Sequence, residues 1–113
     1  VAPLDSLAWV LYKQGKLHQA GMVFLDVIKR SREKKYIHPI LFDHAGDGFY
    51  RLGWTDKAVE LWTQAVKVAA DDKTDSREVR NVIRETPAKI KAAKAGKTVR
   101  VAPLGKGIKI QDK

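Results

Sequence analysis

The chain has 113 residues, of which 44% are apolar, no cysteine, and a formal net charge of +9. This length fits one domain or part of one, and the lack of cysteine excludes disulfides and thiolate metal sites. No apolar run approaches the roughly 20 residues that a membrane-spanning helix needs. Because the sequence starts abruptly at Val1, we expect a fragment or a processed chain, and the missing signal-peptide pattern says nothing about the parent protein.

The first two helices are predicted from apolar spacing. Leu4, Leu7, Ala8 and Leu11 recur at helical intervals after Pro3. Gly15 is expected to end this helix, because glycine tolerates a left-handed backbone. The second helix should start near residue 16 or 17 and end within the charged segment 30–35. Its apolar stripe consists of Leu17, Ala20, Phe24, Val27 and Ile28.

The second pair of helices repeats this pattern. Pro39 opens the third helix, which should stop at Gly53, and Thr55 is expected to act as the N-cap of the fourth. The buried stripe predicted for the third helix consists of Phe42, Ala45, Gly46 and Phe49. That of the fourth consists of Ala58, Leu61, Trp62, Ala65 and Val66.

A fifth helix is predicted after a polar loop, with Asp75 or Ser76 as its cap and Val79, Val82 and Ile83 facing inward. A proline inside a helix costs roughly 3 kcal/mol or more. Thr86-Pro87 therefore predicts a helix that is kinked or restarts there and continues to residue 96. Beyond it, apolar residues alternate with Lys, Arg and Gly as in an extended chain: Val99, Val101, Ile108 and Ile110.

Residues 4–32 and 42–70 align at an offset of 38 without a gap. Small residues recur where two helices must touch, and large apolar residues recur where they must interlock. Self-similarity of this kind is the signature of a repeat protein. The matched pairs are Leu7 with Ala45, Ala8 with Gly46, Leu11 with Phe49, Gly15 with Gly53, Ala20 with Ala58, Phe24 with Trp62, and Val27 with Ala65.

These residues resemble tetratricopeptide repeats, which are helix–turn–helix units of about 34 residues. The spacing here is longer by about four residues, and Arg32 and Ala70 stand where the family favours proline. The resemblance implies an all-α fold of two repeats, at 1–35 and 36–71. A solvating helix at 75–96 and an extended basic tail at 97–113 complete the expected organisation.

The segments 5–15 and 43–53 also look like the last repeats of long bacterial arrays of this family. That resemblance implies a non-catalytic protein-interaction scaffold. Many relatives of this type lie in the bacterial cell envelope or periplasm, and the sequence leaves a cytoplasmic location open. Two repeats are fewer than the three or so that usually make a stable array. We therefore expect the fifth helix to cap the array, and a second copy of the chain or upstream repeats to cover the N-terminal edge at residues 1–11.

The resemblance places a partner groove on the exposed side of the first helix of each repeat. Its acidic residues disfavour a peptide carboxylate and favour a basic or aromatic peptide. Trp9 and Tyr12 are the predicted anchors, although burial of Trp9 against a neighbouring helix explains that residue equally well. The groove residues are Ala2, Asp5, Ser6, Trp9, Tyr12, Lys13, Ile40, Asp43, His44, Asp47, Tyr50 and Arg51.

The positive charge offers a second interpretation. Residues 1–70 carry ten Lys and Arg against seven Asp and Glu, whereas residues 79–111 carry nine against one. Such an excess attracts nucleic acid or another anionic surface, or it is simply a solvated helix face. The candidate residues are Arg77, Arg80, Arg84, Lys89, Lys91, Lys94 and Lys97.

The basic tail suggests a further hypothesis, in which residues 97–109 lie in the acidic groove of the same chain or of a neighbouring copy. No catalytic pair is apparent from residue spacing, and no cofactor is expected. His44 and Asp47 lie three residues apart, but zinc needs three or four ligands. The sequence therefore predicts neither an enzyme nor a metal site.

Overall fold

The computed structural model describes residues 4–33 and 38–109, without the side chains of Leu4 and Asp5. The expectations for Ala2, for the connector 34–37 and for residues 110–113 lie outside this part. Within it the fold is all-α, with five helices and no strand, as predicted. The helices are α1 Leu4–Lys13, α2 Leu17–Glu33, α3 Pro39–Arg51, α4 Thr55–Asp71 and α5 Arg77–Lys94. None of them is long and apolar enough to span a bilayer.

Helix α3 is the centre of the molecule, because it contacts each of the other four helices. A helix with neighbours on several sides must be apolar or compact around most of its circumference. Accordingly, α3 is buried along much of its length, and its small residues let the neighbouring helices approach. The buried residues are Pro39, Leu41, Phe42, Ala45, Gly46, Asp47, Gly48 and Phe49.

Gly46 is the tightest contact between α3 and α4. A Cβ atom at this position would lie 2.4 Å from both Cδ1 and Nε1 of Trp62, so the indole rests directly on the α3 backbone. The predicted contact residues Ala8, Ala20 and Ala58 are also completely buried. These positions hold the helices close together, as the repeat alignment predicts.

Gly15 and Gly53 follow the ends of α1 and α3, as predicted, but they are not the contact points between helices that the repeat alignment suggested. Gly53 is exposed and has a φ of +86°, and a Cβ atom here would meet no other atom within 4 Å, so this glycine serves the turn after α3. Gly15 has a φ of +78° and lies against the backbone of Lys109, not against a helix. In both cases the left-handed backbone explains the glycine.

Several local predictions are wrong. Thr55 is the first residue of α4, and Trp54 occupies the N-cap without a side-chain hydrogen bond. Leu7 is 42% exposed and Ile83 is 46% exposed, because they lie on the outer sides of the first and last helices.

The predicted cap of α5 is confirmed. It is Ser76, one of the two candidates, whose Oγ accepts a hydrogen bond from the Val79 amide at 3.2 Å.

Helix α5 runs without interruption through Pro87, so the predicted restart at this residue is wrong. Proline removes the hydrogen bond to the carbonyl four residues earlier, which here belongs to Ile83. Both Pro87 and Ile83 are exposed, so this carbonyl lies on the solvent side of the helix. Thr86, expected to act as a cap, is instead buried within α5 and faces α3.

Two glycines of α3 provide a matched test of this packing. We expect Gly46→Ala to lower the free energy of unfolding by about 1–3 kcal/mol, because the new methyl group collides with Trp62. In Gly48→Ala the methyl group meets Phe24 at an ordinary 3.5 Å. This control should be neutral or more stable by up to about 1 kcal/mol, since alanine favours helix. Urea unfolding of both variants checks this, and equal effects would contradict the packing.

Candidate functional site

Four of the predicted groove residues contact one another across α1 and α3: Trp9 meets His44, and Tyr12 meets Arg51. The Trp9 ring stacks on His44, with 3.6 Å between ring centroids, and on Tyr12, with 4.6 Å. The Lys13 ammonium lies 5.4 Å from the centre of the Trp9 ring. Trp9 remains partly exposed, so it belongs to the surface of the groove and not to the core.

One end of the groove is open. It holds a cavity of about 260 Å³ beside the exposed part of Trp9. Its walls come from α1, α2 and α3 and are mainly apolar, so the cavity suits an apolar side chain of a partner. The lining residues are Ser6, Trp9, Val10, Phe24, Ile40, Leu41 and His44.

The other end of the groove is covered by residues 97–109, which we call the C-terminal segment. It follows α5 and contains neither helix nor strand in its described part. The Val99 amide donates to the Tyr50 hydroxyl at 2.9 Å, and the Ala102 amide donates to Oδ2 of Asp47 at 3.2 Å. The Val99 side chain is buried in the core.

The carbonyl groups of the C-terminal segment are bound as well. The Ala102 carbonyl accepts hydrogen bonds from the Tyr12 hydroxyl and from Nη2 of Arg51, the latter at 2.8 Å. The Pro103 carbonyl accepts from Nζ of Lys13 at 2.9 Å. Next along the chain, the Gly105 amide donates to the Lys13 carbonyl at 2.8 Å. The groove thus binds an extended backbone on both its donors and its acceptors.

The C-terminal segment therefore lies in the groove of its own chain, one of the two placements considered from the sequence. The reason differs from the one expected, which was attraction between basic and acidic residues. Arg100 and Lys106 point to solvent, whereas Val99 is buried and Val101 and Leu104 are half-buried. Backbone hydrogen bonds and apolar side chains hold the segment in place.

Two carboxylates of the groove, those of Asp43 and Asp47, are paired with Lys89 of α5. Nζ of Lys89 lies 2.8 Å from Oδ1 of Asp47 and 3.0 Å from Oδ1 of Asp43. Thr86 donates to Asp43 at 2.8 Å, and Nε1 of Trp62 donates to Asp47 at 3.0 Å. The side chains of Lys89 and Asp43 are about 15% exposed and that of Asp47 only 1%.

The geometry of the groove corrects the predictions for three residues. Asp47 and Tyr12, expected on the open surface of the groove, are buried. Lys89, expected on an anion-binding surface, is an internal counter-ion. The prediction of a basic partner relied on Asp43 and Asp47 having free charge, and Lys89 already neutralises part of it.

Burial and charge pairing act in opposite directions on the pKa values of Asp47 and Lys89. It raises the pKa of Asp47, and the Lys89 ammonium opposes this rise. Burial also acts to lower the pKa of Lys89, but the two carboxylates outweigh it and leave this pKa above its usual value. Burial raises the pKa of Tyr12 to about 12, so its hydroxyl keeps the proton that it donates to Ala102.

The remaining cations of the predicted anion-binding surface are exposed on α5 or just after it. Arg80 pairs with Asp75 at 3.3 Å and Arg84 with Glu85 at 3.4 Å, both at the surface. Such exposed pairs contribute little to stability. The cations that stay at the surface are Arg77, Arg80, Arg84, Lys91, Lys94 and Lys97.

Sequence reasoning missed the partners of the two carboxylates. Thr86 lies four residues after Val82 and four before Ile90, in the apolar stripe of α5, and a polar residue in such a stripe needs a buried partner. This spacing in the sequence indicates that Thr86 is buried and hydrogen-bonded. The pairing of Lys89 with Asp47 spans 42 residues, and no local pattern indicates it.

In residues 4–33 and 38–109, no group of three His, Cys, Asp or Glu side chains could hold a metal ion. Comparison of the chain with protein-family models, with curated proteins and with solved structures gives no match. The site therefore has to be interpreted from its own residues and geometry.

Replacing Lys89 tests the buried pair. We expect Lys89→Met to lower the free energy of unfolding by about 3–5 kcal/mol, because it leaves the buried Asp47 carboxylate without its counter-ion. Lys91→Met is the matched control, since Lys91 is exposed on the same helix. Its effect should stay within about 0.5 kcal/mol. Urea unfolding measures both, and similar losses for the two variants would show that Lys89 has no special role.

Proposed function

We propose that this chain is a non-catalytic protein-interaction module of the tetratricopeptide-repeat type. It would form the terminal part of a helical-repeat array and bind a partner's peptide segment in the groove between α1 and α3. The observation that carries this proposal is the bound C-terminal segment. A groove that holds one extended backbone through side chains of α1 and α3 has the chemistry to hold another.

The helix contacts support the repeat interpretation. Consecutive helices pack on one another, and α1 with α3 and α3 with α5 also make contact. This pattern is expected of stacked helix–turn–helix units, in which each unit contacts its neighbours. The compact residues that the repeat alignment selects on α1, α2 and α4, among them Ala8, Ala20 and Ala58, are fully buried.

The N-terminal edge supports a place at the end of a larger array or in an oligomer. Two apolar side chains of α1 are exposed there, Leu7 at 42% and Val10 at 50%, and Met22 of the next helix is 68% exposed. Upstream repeats or a second copy of the chain would cover such a surface. At the opposite end, α5 packs on α3 and α4 and covers the second repeat.

The open cavity beside Trp9 is where a partner side chain would enter. Large aromatic residues next to pockets dominate the energetics of many interfaces. The stacking of Trp9 on both His44 and Tyr12 holds the indole in one orientation. A preorganised aromatic surface of this kind reduces the entropy cost of binding.

The test is a selection of displayed random peptides on the full chain, followed by affinity measurements on the selected peptides. We expect Trp9→Ala to weaken binding at least tenfold, as for a hot-spot residue. Trp54→Ala is the matched control, because Trp54 is 52% exposed and lies outside the cavity. It should bind like the wild type. Peptide binding that is indifferent to Trp9, or no peptide binding at all, would contradict the proposal.

The exposed cations of α5 favour a second candidate function, binding of nucleic acid or another anionic surface. Their intervals of three, four and seven residues place Arg77, Arg80, Arg84 and Lys91 on one side of the helix. Aromatic side chains, on which bases stack, are missing among these cations within α5. Salt separates the candidates, since nucleic-acid binding falls steeply with salt concentration and binding through aromatic groups does not.

A further inference from the structure

We propose that the covered end of the groove is a second peptide site, distinct from the open cavity. It takes an extended segment with an apolar residue, a small residue three positions later and then proline. We further propose that the chain's own C-terminal segment is its built-in competitor. This inference rests on the proposed function and names the partner chemistry at one end of the groove.

The bound segment shows what this site recognises. The Val99 side chain is 4% exposed and acts as the anchor. Three positions later, Ala102 presents its amide to Asp47 and its carbonyl to Tyr12 and Arg51. Both the donor and the acceptor of this one residue are bound, and its side chain is half-buried, so the site favours a small residue here.

The positions after Ala102 add further constraints. Pro103 is exposed, and it favours an extended conformation for the residue that precedes it. At Gly105 a Cβ atom would lie 3.0 Å from the Lys13 carbonyl oxygen, so the close approach of the two backbones favours glycine. Thr98 and Arg100 point to solvent and leave their positions unrestricted. The site therefore favours the sequence Val, any residue, an apolar residue, Ala, Pro, an apolar residue and Gly.

The connection to α5 makes this segment able to leave. After α5 the chain passes through the exposed Gly96, which has a φ of +72° and where an added Cβ atom would meet no heavy atom within 4 Å. The named hydrogen bonds to the groove all use the backbone of the segment, so a segment of another protein can reproduce them. A tethered competitor acts at an effective concentration in the millimolar range, and a free peptide has to overcome it.

The experiment compares the full chain with two variants that each add one carboxylate to the segment. Val99→Asp places a charge in the buried anchor position and should release the segment, whereas Thr98→Asp places it in solvent and should leave the segment bound. The probe is a fluorescent synthetic peptide with the sequence of residues 97–109. We expect the Val99→Asp chain to bind this peptide at least tenfold more tightly than the wild type does. The Thr98→Asp chain should bind the peptide as weakly as the wild type.

Equally weak binding of the fluorescent peptide to all three chains would overturn the inference. If Val99→Asp fails to unfold cooperatively, Ala102→Pro replaces it, since proline removes the amide that donates to Asp47. A wild-type dimer in light scattering that becomes monomeric in Val99→Asp would place the segment in a second copy and would also overturn it. Peptides selected on the open cavity through Trp9 report separately on the proposed function, so the two failures are distinguishable.

Discussion

The Asp47 carboxylate joins four parts of this protein. It belongs to α3 and accepts hydrogen bonds from Trp62 of α4, Lys89 of α5 and Ala102 of the C-terminal segment. A buried carboxylate is costly unless its lone pairs and its charge are satisfied. Asp47 meets this requirement only when all three partners are in place. Its burial therefore links the packing of the last two helices to the position of the segment.

This link explains why the groove has two different ends. Near Asp47, the charges and hydrogen-bonding groups of the groove are used within the chain. Near Trp9, stacked aromatic rings and apolar walls leave a cavity open. The end near Asp47 can exchange the backbone of the C-terminal segment for that of another peptide. The end near Trp9 can accept a side chain of a partner. A partner that uses both ends would have to displace the segment first.

The sequence predicts α1 to α4 well, because apolar spacing, Gly15 and Gly53 mark their faces and ends. The sequence fails to predict the continuous helix at Pro87. An exposed proline can be accommodated within a helix whose residues before and after the proline are held by packing. The sequence also fails at Asp47, which has the position of an exposed groove residue in the repeat pattern. Its burial depends on Lys89 and Ala102, 42 and 55 residues away, and pairwise contacts at such distances leave no periodic signal.

The most direct test of this role of Asp47 is amide hydrogen exchange at Ala102, followed by NMR in the wild type and in Asp47→Asn. The asparagine keeps the shape of the side chain and removes its charge, which weakens the acceptor for the Ala102 amide and the pairing with Lys89. We predict slow exchange at Ala102 in the wild type and markedly faster exchange at Ala102 and Val99 in the variant. Exchange at Ala102 as fast as in a free peptide, or unchanged in Asp47→Asn, would contradict the linking role of this carboxylate.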